Sequence, residues 1–154
     1  MRNTIIIFII SLITVSCGKD KYTSVPQISF KSVSPDRVQS NAPINDPNMP
    51  LITINVTDRE GDFGDTAYVY IQRIINGKLH YEVKEFAMPN INSIKTNNFQ
   101  ADIRINSFDV LRGDSTRTRR PKVDTLNFRI YITDFAKNKS NVIDTDKPLY
   151  YVTP

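Results

Sequence analysis

Thr66-Ala67-Tyr68-Val69-Tyr70-Ile71-Gln72-Arg73-Ile74-Ile75, then Asn76-Gly77, then Leu79-His80-Tyr81-Glu82-Val83-Lys84-Glu85-Phe86 beyond Lys78, is the stretch that decides the fold. Aromatic and β-branched residues crowd its first arm, and Asn-Gly supplies the positive φ angles that a two-residue hairpin turn needs. It reads as a β-hairpin. Outward from it, alternation at period two recurs. Leu51–Thr57 sets Ile52, Ile54 and Val56 on one face, and Ala101–Ile105 sets Ile103 with Ile105. Thr125–Thr133 sets Leu126, Phe128, Ile130 and Ile132 opposite Asn127, Arg129 and Tyr131. Ile28–Val33 and Asn141–Thr145 bring the total to about seven short strands, and no stretch carries a sustained helical stripe. Pro26, Pro35, Pro43, Pro47, Pro50, Pro89, Pro121 and Pro148 fall between the strands, where a missing N–H costs nothing. Strands without helices imply two packed antiparallel sheets, because a single sheet would leave an apolar face in water.

Two segments carry a family resemblance. Ile54-Asn55-Val56-Thr57-Asp58-Arg59-Glu60-Gly61-Asp62-Phe63-Gly64-Asp65 and Ile132-Thr133-Asp134-Phe135-Ala136-Lys137-Asn138-Lys139-Ser140-Asn141 are similar to turns of bacterial immunoglobulin-like and cadherin-like repeats, with Lys137 where glycine is usual. The resemblance implies an all-β fold over residues 27–154, an immunoglobulin-like antiparallel β-sandwich of about seven strands, of the kind that lacks a tryptophan and a disulfide. With the strands lettered in order, Asp58–Asp65 is the B–C loop and Asp134–Ser140 the F–G loop, which share one pole of such a sandwich. Asp58, Glu60, Asp62, Asp65 and Asp134 would then converge, and an oxygen-rich cluster of this kind suits Ca²⁺, which takes six to eight hard oxygen ligands. The spacing is not that of an EF-hand loop, since glycines stand at positions 4 and 7 counted from Asp58. The plainer alternative is a solvated acidic turn whose Asp and Gly residues serve backbone geometry, neutralised by Arg59, Lys137 and Lys139.

The chain opens with Arg2 and the apolar run Ile5–Ile13, which is too short to span a bilayer, and runs through Thr14-Val15-Ser16 into Cys17, its one cysteine. This resembles a bacterial lipobox. It implies that residues 1–16 are a cleaved signal peptide and that Cys17 is diacylated, with residues 17–26 as a short tether to the membrane; two acyl chains suffice for stable anchoring. Gly18-Lys19-Asp20-Lys21 resembles the tag that sends some lipoproteins to the outer face of the outer membrane, so the expected location is the cell envelope, as an outer-membrane lipoprotein facing either the periplasm or the exterior.

Only Arg2 of the 20 basic side chains lies within residues 1–16, against 16 acids in the whole chain, so the remainder carries about +3, a mild charge that gives no case for nucleic acid. With Cys17 lipidated no disulfide is possible, and apolar burial must hold the domain. Arg112, Arg117, Arg119, Arg120 and Lys122 form a basic, polar stretch at the pole opposite the acidic turn, suited to an envelope protein or anionic glycan partner that guanidinium forks can grip; the alternative is a solvated, protease-sensitive loop. Within it, Arg112-Gly113-Asp114 resembles the integrin-recognition tripeptide.

Enzyme chemistry is constrained by the residue inventory. His80 is the one imidazole, so cysteine–histidine catalysis and multi-histidine zinc sites are excluded, and the alternation of its strand places it toward water opposite Leu79 and Tyr81. A glycan hydrolase using paired carboxylates is the least favoured reading, because the acids cluster in one turn. The expected function is a lipid-anchored, non-catalytic binding or interaction module. The alternative is a structural subunit of an outer-membrane assembly, docking through an edge strand or through Tyr150-Tyr151.

Overall fold

The computed structural model describes residues 21–43, 45–63, 67–88, 97–111 and 122–153. Among them run β1 (Gln27–Ser34), β2 (Arg37–Gln39), β3 (Leu51–Asp58), β4 (Tyr68–Ile75), β5 (Lys78–Ala87), β6 (Phe99–Asn106), a short helix α1 (Ser107–Leu111), β7 (Lys122–Thr133), β8 (Ile143–Asp144) and β9 (Leu149–Thr153). A three-stranded sheet has the order β1-β3-β6, and a six-stranded sheet the order β2-β9-β7-β4-β5 with β8 beside β7. All described neighbours are antiparallel except β2 and β9, which run parallel from Arg37 opposite Tyr150 to Gln39 opposite Val152.

The alternation read from the sequence is the alternation that fills the core. Ile52, Ile54 and Val56 of β3 point from the small sheet toward Val69 and Ile71 of β4 and toward Leu126, Phe128, Ile130 and Ile132 of β7. Each such side chain contributes roughly 1.5–3 kcal/mol on leaving water, so these two layers carry most of the stability. The hairpin turn forms as expected, with Asn76 at φ 49° and Gly77 at φ 79°. Asn76 also binds β7: its Nδ2 donates to Asp124 Oδ1 at 2.8 Å, and its Oδ1 accepts the Thr125 N–H at 2.9 Å.

Several expectations change. Nine strands rather than about seven are described, and one helix where none was expected. β2 is three residues long, too short for a period to register, while β9 follows Pro148 and alternates Leu149, Tyr151 and Thr153 inward. Tyr151 is therefore buried and no docking surface, whereas Tyr150 faces outward under the Arg37 guanidinium. α1 begins where the Asn106 side chain accepts the Phe108 N–H at 2.9 Å, as an N-cap does, and it buries Val110 and Leu111. His80 is half-buried, while Tyr81 is 90 % exposed.

β5 alternates without a break, so His80 shares the half-buried side with Glu82, Lys84 and Phe86 while Leu79, Tyr81 and Val83 are exposed. Gln72 pairs with Val83 but Ile74 with Leu79, so the three residues His80–Glu82 stand opposite Arg73 alone. The Gln72 side chain reaches into this offset and donates to the His80 carbonyl. Arg73 is buried and pairs with Glu82 at 3.2 Å, and Lys84 joins the same carboxylate.

Register also fixes the two ends of the sandwich. Gln27 pairs with Thr57, Asp58 with Phe99, and Tyr68 with Thr133, so the start of β1 and the ends of β3 and β7 meet at one pole. Leu51 pairs with Asn106 and Lys122 with Thr153, which puts the two described residues flanking 112–121 at the other pole.

Candidate metal centre

At the first pole the chain must turn out of β3 and out of β7 using polar side chains as internal acceptors. Asp58 closes β3, and its Oδ2 accepts the Glu60 N–H at 3.1 Å and the Gly61 N–H at 2.6 Å. Gly61 takes φ 62°, the left-handed conformation that glycine adopts without strain. Phe63 then plugs the loop into the core, its ring centroid 5.2 Å from that of Phe99. Asp134 does the same at the end of β7, accepting from Asn138 N at 2.7 Å and from Asn138 Nδ2 at 2.8 Å. Lys137 sits at φ 69°, the left-handed conformation that glycine adopts with less strain. A backbone bond from Phe135 N to Asp62 O at 2.9 Å joins the two loops.

The result is a convergence of three carboxylates. Asp58, Asp62 and Asp134 each offer an oxygen, and these atoms lie within 4.8 Å of one another. Oxygens on opposite sides of one Ca²⁺ stand roughly 4.6–5.2 Å apart, twice the usual Ca–O distance, so the spacing fits a shared ion. Asp58 and Asp134 are fully buried, and Asp62 is half-buried. Oδ1 of Asp58 is buried with no hydrogen-bond partner among the described residues, although its sister oxygen has two. A buried carboxylate oxygen left in that state is costly unless something else contacts it.

Electrostatics point the same way. Burial raises the Asp58 pKa above 3.8, opposed by the Gly61 N–H and reinforced by Glu60 and Asp134. Burial likewise raises Asp62, followed by the charges of Asp134 and Asp58. Since both folded-state values exceed the unfolded one, the native state holds protons that the unfolded chain has already released. The contribution of these groups is best below the unfolded value of 3.8 and declines as pH rises through the raised values, so at neutral pH they oppose folding. Asp102 and Asp144 behave oppositely: hydrogen bonds from Lys31 and Arg129 lower their values, and what they contribute is lost as pH falls. A carboxyl-carbon NMR titration without divalent ions is expected to find Asp58 and Asp62 above the ordinary aspartate value and Asp102 and Asp144 below it. Ordinary values for the first two would mean that the pole is solvated.

Of the five acids expected at this pole, three are brought together. Glu60 is exposed at the rim, where its Oε1 accepts from Ser24 Oγ at 2.9 Å, and Asp65 lies outside the described residues. The cations expected to neutralise the turn reach elsewhere: Arg59 Nη2 donates to the Tyr22 carbonyl at 3.2 Å, while Lys137 and Lys139 lie over the rings of Tyr68 and Tyr131. Sequence reasoning missed the part played by Asn138 and Ser24. The Asp-x-x-x-Asn spacing from Asp134 to Asn138 could have suggested the first. Arg112, Arg117, Arg119 and Arg120 lie outside the described residues, as does Cys17; of Lys122 the backbone alone is described, at the start of β7. No protein family matches the chain, nor does any curated protein or solved structure, and the site is therefore read from its own geometry.

Proposed function

We propose that this chain is a calcium-binding, non-catalytic module of immunoglobulin-like topology, held in the cell envelope by lipid on Cys17. One observation carries the calcium reading: three carboxylates converge at the pole, and a buried Asp58 oxygen there lacks a hydrogen-bond partner among the described residues. The donors are all oxygen and come from two irregular loops, a setting that suits the flexible coordination of Ca²⁺ better than the strict octahedron of Mg²⁺. Three carboxylates supply three to six of the oxygens needed, and water or Glu60 can complete the shell.

The immunoglobulin-like reading is supported by strand order. Lettered along the chain, β1-β3-β6 is an A-B-E sheet and β2-β9-β7-β4-β5 an A′-G-F-C-C′ sheet. The lipid reading rests on Arg2, Ile5–Ile13 and Cys17. β1 enters beside Asp58, so the same pole would hold both the ion and the tether.

The test is thermal unfolding of residues 21–154, which contain every described strand and core residue, in Ca²⁺ and in chelator. An ion that binds only the native state at a hundredfold excess over its Kd stabilises by about 2.7 kcal/mol. For a domain of this size the expected rise in melting temperature is about 10 °C. Mg²⁺ is expected to give much less. An unchanged melting temperature in Ca²⁺ would leave an ordinary acidic turn and end the proposal.

A further inference from the structure

The two loops that converge on the carboxylates also grip the chain just before β1. Arg59 N donates to the Thr23 carbonyl at 3.0 Å, and Arg59 Nη2 to the Tyr22 carbonyl at 3.2 Å. Ser24 Oγ donates to Glu60 Oε1 at 2.9 Å, and Asn138 Nδ2, already bound to Asp134, reaches the Ser24 carbonyl at 3.4 Å. Tyr22–Ser24 precedes the first residue of β1, Gln27, and these contacts come from no other part of the fold: Arg59 and Glu60 sit between Asp58 and Asp62, and Asn138 shares a turn with Asp134.

We infer that cation binding at this pole clamps Tyr22–Ser24 onto the domain, so that the ion governs the order of the segment leading toward Cys17. The inference rests on the calcium reading above. Without a cation, three carboxylates within 4.8 Å repel one another and push the two loops apart, and the grips on Tyr22–Ser24 are carried by those loops. With a cation the repulsion becomes attraction to a common centre. The loops then hold Arg59, Glu60 and Asn138 at the spacing the segment needs. By linkage the coupling runs both ways: if the ion orders the segment, the segment must raise affinity for the ion by the same factor.

That reciprocity supplies the test. Ca²⁺ affinity is measured by calorimetry for residues 21–154 and for residues 25–154, both of which keep every described strand. Amide exchange is followed in the longer chain at Arg59, bonded to Thr23, and at Asn76, bonded to Thr125 at the other pole. The shorter chain is expected to bind Ca²⁺ at least about fivefold more weakly, the low end of ordinary coupling between sites. In the longer chain Ca²⁺ is expected to slow exchange at Arg59 far more than at Asn76. A variant of the longer chain, residues 21–154, with Tyr22→Gly, Thr23→Gly and Ser24→Gly keeps the backbone acceptors but raises the entropy lost on ordering, and is expected to fall between the two. Equal affinities together with unchanged Arg59 exchange, in chains that Ca²⁺ still stabilises, would overturn the clamp and leave the calcium site standing. No response to Ca²⁺ in either chain would overturn both.

Discussion

Phe128→Ala is expected to leave little folded protein at 37 °C. Phe128 lies in β7 at the middle of the six-stranded sheet, fully buried, with its side chain in the layer shared by Ile52, Ile54 and Val56 of the facing sheet. Its backbone is held on the far side by Thr145, whose Oγ1 accepts the Phe128 N–H at 3.0 Å and whose N–H donates to the Phe128 carbonyl at 2.9 Å. The strand therefore cannot slide to close the space. Truncating a core phenylalanine costs about 3–5 kcal/mol, against a net stability for a domain of about 5–15 kcal/mol. Urea unfolding followed by far-UV circular dichroism measures the loss directly. A loss below about 1 kcal/mol would mean that the two sheets do not meet at Phe128.

Asp58→Asn is expected to change the sign of its effect with the ion. In chelator at neutral pH the variant is expected to be the more stable protein. Its amide oxygen can still accept from Glu60 N and Gly61 N, its NH₂ can donate toward Asp62 and Asp134, and a buried charge that burial and its neighbours disfavour is gone. In saturating Ca²⁺ the order is expected to reverse, because loss of one of three carboxylates weakens affinity by at least about tenfold, or ~1.4 kcal/mol. Melting temperatures of the two proteins in both conditions decide it. If the parent is the more stable in chelator as well, Asp58 is serving the turn rather than an ion.

What the sequence made legible follows from the range of the physics involved. The Asn76-Gly77 turn, the aromatic and β-branched composition of β4 and the alternation through β3, β6 and β7 are local, and each of those strands faces the core as its sequence requires. β2 and β9 were not legible, because a three-residue strand has no period and Pro148 hid the resumption of alternation at Leu149. The inward side of His80 follows from which of the two alternating faces of β5 is turned to the core, a choice made by pairing with β4 that β5 does not reveal alone. At the pole, Asp58, Asp62 and Asp134 were foreseeable because the loop order of two packed sheets brings them together. Ser24 was not, since its role arises from the path of the chain over a surface formed by residues 59, 60 and 138.

The offset in β5 has a further consequence for how this edge meets other chains. Among the described residues β5 is an outer strand of the larger sheet, ten residues long and free of proline, and Leu79, Tyr81 and Val83 stand exposed along it. Such an edge would ordinarily invite another chain to add a strand and begin a continuous intermolecular sheet. Two features oppose this. The irregular register at His80–Glu82 spoils the straight row of donors and acceptors that an incoming strand would need. The charges of Glu82 and Lys84, on the half-buried side, paired with each other and, through Glu82, with Arg73, would have to be stripped of water or of their partners under an added strand. The irregularity therefore disfavours pairing along this edge, and the exposed apolar residues Leu79, Tyr81 and Val83 lie on the face of the sheet rather than in its hydrogen-bonding direction.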